Sequence, residues 1–179
     1  MTLVLVLSCL GFVAGLTIHL LVIAGVATIP LSIAFGVFFP AMVGAVLANM
    51  HVIAQRHQDY AWLPRGDFWK FLSQNAPPWM QTLQIFLLVY AVFNFYFAML
   101  VINQGAYPRI VDGAYVLERH KLIIAHLTAQ QYWWHAEYVV RVLSSMVAAV
   151  YFAAVTRWVA RWRTVGAERS QALPEEAAG

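Results

Sequence analysis

Four long apolar runs constrain this chain more than any motif in it. Leu3 to Ala24, Ile29 to Ile53, Leu83 to Asn103 and Tyr138 to about Arg157 each approach or exceed the roughly 20 residues a helix needs to cross a bilayer core. Hydrophobic residues make up 62% of the 179 and charged residues 11%, against about 45 to 50% and about 25% in an ordinary globular domain. A soluble fold of this size has too little interior to hide that surface. The expectation is an all-α integral membrane four-helix bundle over residues 1–165, with a disordered tail over 166–179. A cleaved signal peptide is the other reading of the first run, since Gly25-Val26-Ala27 offers a small-x-small site. That run lacks a basic leader and exceeds the usual apolar length of about 7 to 15 residues.

Four crossings put both termini on one side. Termini inside place Arg56, Arg65, Lys70, Arg157, Arg161, Arg163 and Arg169 in the cytoplasm, and leave Arg109, Arg119, Lys121 and Arg141 outside. Seven basic residues against four favour that orientation. The tryptophans fall at the predicted boundaries: Trp62, Trp69, Trp79, Trp158 and Trp162 at the inner interface, Trp133 and Trp134 at the outer. That is an aromatic belt.

Small residues suggest where helices approach closely. Gly11 and Gly15 form a GxxxG pair in the first span, and Gly36, Pro40, Gly44 and Ala48 recur every four residues in the second. With only a few residues between them, spans one and two are expected to form a tight antiparallel pair. Pro40 also removes a hydrogen bond to the Gly36 carbonyl and is expected to kink its helix. Residues 66–74, with Phe68, Trp69, Phe71 and Leu72 beside Lys70, read as a short interfacial helix or as a plain loop with belt aromatics.

The external segment 104–137 opens with Gly105, Pro108 and Asp112-Gly113, which are turn residues. Tyr115-Val116-Leu117 and Leu122-Ile123-Ile124 then look like one small β-hairpin around Glu118 to Lys121. Thr128 and Gln131 have capping-box spacing, so a last helix of about 37 residues is expected to start there. The pattern Asp112-Gly113-Ala114-Tyr115-Val116-Leu117, His120, Leu127-Thr128, Tyr132, Arg141, Ser144 and Tyr151-Phe152 resembles small uncharacterised bacterial inner-membrane proteins over about forty residues. That resemblance implies a bacterial inner membrane and brings no activity.

Polar residues inside lipid must answer for their cost. His19, Tyr96, Ser144 and Ser145 come out at similar depths, about 8 to 11 Å below the outer helix ends, with Arg141 just above them. Glu137 precedes Arg141 by four residues, the favourable order for an ion pair. These six form the candidate polar cluster, read first as helix-to-helix hydrogen bonding and second as a functional site.

Six histidines suggest a metal or haem, but His19 and His51 differ in depth by roughly 25 Å. His51, His57 and Asp59 inside, and His120, His126 and His135 outside, match no ligand spacing. No metal, haem or other cofactor is expected, and the lone Cys9 allows no internal disulfide. No catalytic triad, phosphate loop or carboxylate pair is evident. The scattered basic residues form no nucleic-acid stripe. The expectation is a non-catalytic multi-pass protein whose partners are the lipid bilayer and either a second copy or another membrane protein. A small transporter or channel-like oligomer is the alternative, and an enzyme acting on a lipid or quinone comes third.

Overall fold

The computed structural model describes residues 2–26, 28–57 and 76–176. Its elements in chain order are α1 (Thr2–Ile23), α2 (Leu31–His57), α3 (Pro78–Tyr96), a π-helical turn (Phe97–Ile102), β1 (Tyr107–Val111), β2 (Ala114–Arg119), β3 (Leu122–His126) and α4 (Ala129–Glu176). Four stretches are helical, long and apolar enough to cross a membrane: Leu3–Ile23, Leu31–Met50, Pro78–Ile102 and Ala129–Thr164. The predicted interfacial helix at 66–74 lies outside the described residues.

α4 is the axis of the bundle. α1, α2 and α3 each pack along it, and it is mostly buried while they are mostly exposed. The expected tight pairing of α1 with α2 is therefore corrected: these two touch little. α1 ends where Gly25, at φ +67°, reverses the chain and Val26 N–H donates to Leu21 O at 3.0 Å, a Schellman-type stop. The residues that follow let α2 swing to its own groove on α4.

The GxxxG pair is used against α4. A methyl at Gly11 would sit 2.5 Å from the Tyr151 ring, and one at Gly15 3.2 Å from the Ala148 amide nitrogen. Among the described side chains of α2 the buried residues are Ala34, Phe38, Ala45 and Asn49, while Gly36 has nothing within 4 Å of its missing side chain and Pro40 is exposed. Gly44 only borders the contact, 3.4 Å from Tyr151 Oη, and Ala48 is half-buried. The expected ridge at 36, 40, 44 and 48 is thus not one packing face. Steps of four residues drift about 40° each on a 3.6-residue helix, so the row winds from outside at Gly36 to the contact near Ala48.

α3 faces α4 through Met80, Gln84, Leu87, Ala91, Asn94 and Ala98, which are buried or half-buried at alternating spacings of four and three. Past Ala98 the helix widens, and Asn103 N–H donates to Ala98 O, five residues back, at 2.9 Å. The extra residue in that turn keeps Asn103 on the inward face, fully buried.

The external segment is a three-stranded antiparallel meander, ordered β1-β2-β3. The single expected hairpin is corrected by β1, which pairs Tyr107 with Glu118 and Val111 with Ala114. Asp112 and Gly113, at φ +50° and +80°, form the two-residue turn whose twist suits adjoining strands. Pro108 is tolerated because β1 is an edge strand. β2 and β3 pair from Arg119 and Leu122 to Val116 and His126, with a bulge at Leu117/Glu118.

The capping box closes as expected. Thr128 N–H donates to Gln131 Oε1 at 2.8 Å and Gln131 N–H to Thr128 Oγ1 at 3.2 Å. α4 then runs 48 residues to Glu176, beyond the expected 37 and through the stretch read as a disordered tail. Ala, Glu, Arg and Gln there are strong helix formers, set against about 1 kcal/mol for Gly166 and about 3 kcal/mol for Pro174 in the last turn.

Candidate functional site

His19 on α1 is the centre of the polar cluster. It is buried, with Nδ1 3.0 Å from Ser144 Oγ on α4 and Nε2 2.8 Å from Tyr90 Oη on α3. Ser144 Oγ also lies 2.8 Å from Val140 O and 3.2 Å from Arg141 O. Carbonyls only accept, so the one serine proton goes to them and Ser144 must accept from His19. Nδ1 then carries a proton, and because an unpaired charge is costly to bury the ring is assigned as neutral, with Tyr90 donating its hydroxyl proton to Nε2. Both ring nitrogens are occupied, and three helices are joined by one side chain.

Of the six predicted residues the structure brings His19 and Ser144 into direct contact. Glu137 and Arg141 pair at 3.9 Å. Arg141 Nη2 also donates to Val22 O at 3.5 Å, and its guanidinium lies 4.8 Å over the Tyr138 ring. That ties the sheet-side end of α1 to α4. Ser145 is buried but donates to Val142 O of its own helix at 2.9 Å.

Tyr96 is corrected out of the cluster: it is 57% exposed, with its ring edge against Phe95. The depth estimate failed for α3 alone, since Ser144 of α4 does meet His19 but the α3 partner is Tyr90. The α3 residue level with His19 comes six residues earlier, about 1.7 turns, at Tyr90. Tyr90 also lies on the inward side of α3, next to Ala91 of the seam, whereas Tyr96 is rotated onto the outer face.

Two further inter-helix contacts carried no usable sequence signal. His135 Nδ1 meets Asn103 Oδ1 at 2.7 Å, a contact that depends on the π turn. Near the other end of the bundle Asn49 Nδ2 donates to Ala45 O at 2.7 Å and to Val150 O at 3.2 Å, while its Oδ1 accepts from Arg157 at 2.5 Å. An asparagine inside a helix next to a basic partner a hundred residues away is visible only once the helices are docked. Trp158, predicted at the lipid interface, is instead almost completely buried; Trp79 and Trp162 are exposed.

Among the described residues no three His, Cys, Asp or Glu side chains converge as metal ligands. His120, His126 and His135 lie at three separate places: the β2–β3 turn, the far end of β3, and against Asn103. His51, His57 and Asp59 have side chains outside the described set. A shallow apolar depression of about 430 Å³ lies between Leu5, Trp158, Val159, Trp162 and Arg163 at the termini end.

In the sheet, Glu118 is buried and accepts from Tyr107 Oη at 2.7 Å and from Arg109 at 3.2 Å. The Tyr107 hydrogen bond, then the Arg109 charge, hold the carboxyl below its ordinary range, while the same hydrogen bond raises the Tyr107 phenol. This pair fixes the end of the sheet nearest α3.

No protein-family model, curated protein or solved structure matches the chain.

Proposed function

We propose that this is a multi-pass protein of a bacterial inner membrane, with both termini cytoplasmic, that acts without catalysis by associating with a second copy of itself or another membrane protein. The carrying observation is how its side chains divide between inside and outside. The His19 group is spent internally, with both ring nitrogens occupied, so it offers no free base or acid to a substrate. The outward faces of α1, α2 and α3 are apolar, and α2 turns Gly36 and Pro40 outward with open space beside Gly36. Small residues at a lipid-facing position allow another helix to approach closely.

The test is disulfide cross-linking in native membranes. In a Cys9→Ala background, Gly36→Cys should give a covalent dimer on mild oxidation, and Val89→Cys on the outer face of α3 should not. Equal cross-linking at both positions, or none with no larger assembly in mild detergent, would reject association through α2.

A second reading, a transporter or channel-like oligomer, is favoured by two buried atoms on the α3 seam. Among the described residues Gln84 Oε1 and Asn94 Nδ2 have no hydrogen-bond partner, and such groups are costly in lipid. Solute or ion flux in proteoliposomes that Asn94→Leu abolishes would establish that reading over the first.

A further inference from the structure

Val140 packs with Val22 and Ala34, near the sheet-side ends of α1 and α2. His135 stands five residues earlier on α4, about 7.5 Å further along at 1.5 Å per residue, and meets Asn103. The next residue of that chain, Gln104, accepts from the Arg119 guanidinium at 3.4 Å. β1 leaves the end of α3 and β2 returns to it, so the turn after Arg119 points back toward the span ends. Gln104 follows the last residue of the apolar Pro78–Ile102 stretch by two positions, so the Arg119 contact puts the turn beside the end of that span.

The chemistry at that turn has two parts. Arg119, His120 and Lys121 are exposed in sequence, and the adjoining Glu118 is already engaged by Tyr107 and Arg109. His120 and Lys121 both have left-handed backbone, φ +52° and +66°, a two-residue turn for which Asn-Gly would be the cheaper choice. Immediately after it come Leu122, Ile123 and Ile124, exposed by 69%, 47% and 38%, on a strand that pairs only with β2. Trp134, at the same level one residue before His135, is also exposed. Basic side chains beside exposed aliphatic and indole groups at the end of an apolar span suit an interface in which anionic phosphate lies above acyl chain.

We propose that the β2–β3 turn is a lipid anchor: Arg119 and Lys121 engage anionic phospholipid headgroups of the adjoining leaflet while Leu122 and Ile123 enter its acyl boundary. This rests on the reading of the four helices as membrane-embedded. The anchor would hold the sheet against the membrane and fix the tilt of α4, whose first turns carry it.

Nitroxide labels in a Cys9→Ala background test it in vesicles of phosphatidylcholine with phosphatidylglycerol. Labels at Val89, Leu122 and Asp112 report the α3 outer face, the anchor and the far turn of the sheet. Collisions with oxygen relative to a water-soluble nickel chelate should be highest at Val89, lowest at Asp112, and several-fold higher at Leu122 than at Asp112. Replacing both Arg119 and Lys121 by Gln should move the Leu122 value toward that of Asp112, as should vesicles of phosphatidylcholine alone. If Leu122→Cys fails to fold, Ile123→Cys reads the same contact. A deep Val89 with Leu122 indistinguishable from Asp112 overturns the anchor and leaves the embedded bundle standing. A water-exposed Val89 removes the bundle reading and the anchor with it. Dipolar broadening between Leu122 labels that is independent of phosphatidylglycerol would show β3 pairing with a second copy instead, which also overturns it.

Discussion

The Tyr90 hydroxyl lies 2.8 Å from His19 Nε2 and closes the only ring position that Ser144 leaves open. A histidine that would otherwise face hydrocarbon with a bare lone pair becomes a three-helix pin. Hydrogen bonds between membrane helices contribute about 0.6 kcal/mol on average and up to about 1.7 kcal/mol.

Tyr90→Phe should therefore lower bundle stability by about 1 kcal/mol, toward the upper part of that range because the ring nitrogen is left unsatisfied. Tyr96→Phe should change nothing measurable. Thermal unfolding in a fixed detergent compares the two, and equal effects would dissolve the assignment of Tyr90 to the pin.

Gly11→Ala should destabilise, since its new methyl meets the Tyr151 ring at 2.5 Å and overpacking of this kind costs about 1 to 3 kcal/mol. Gly36→Ala has open space within one copy of the chain and, under conditions where the protein is monomeric, should be neutral or gain up to about 1 kcal/mol of helix propensity. The same melting experiment decides it: a lower midpoint for Gly36→Ala than for Gly11→Ala would mean that α1 does not dock on α4 through its glycines.

The sheet should respond to acid through Glu118. Its carboxyl is held below the ordinary range by the Tyr107 hydroxyl and then by Arg109, so its stabilisation is complete above the unfolded carboxylate pKa. It is lost as pH falls through the lower folded value. Amide exchange at Val116 should accelerate below about pH 4, after correction for intrinsic exchange. Tyr107→Phe should shift that onset to higher pH, and Glu118→Gln should remove it. An unchanged onset in Tyr107→Phe would assign the effect elsewhere.

Reporter fusions after Met80 and Gly179 should report cytoplasm, and one after Gly113 periplasm, because seven basic residues against four favour that orientation. A periplasmic signal from the Gly179 fusion would reverse the topology.

The sequence by itself determined the elements whose cause is local. Apolar length located the four helices, because a run of about 20 apolar residues favours one, but it did not set the ends of α4, which runs from Ala129 to Glu176. The Thr128 and Gln131 capping box marked the start of α4, and four-residue spacing marked Glu137 with Arg141. His19 and Ser144 were legible as members of one polar group because both lie in apolar runs at similar depth, but their pairing came only from the docked helices. Only the tertiary structure decided which faces meet. Depth counted from the edge of each apolar run assumes that all runs end in one plane; that held for α1 and α4, whose His19 and Ser144 meet, and not for α3, where Tyr90 replaced Tyr96. The π turn advances the helical phase by one residue, so no 3.6-residue pattern points to Asn103 as the partner of His135. The Gly36, Pro40 and Gly44 row failed as a packing face for a related reason: small size permits close approach but does not choose the neighbour. That choice was made by α4, the one helix with a groove for each of the other three.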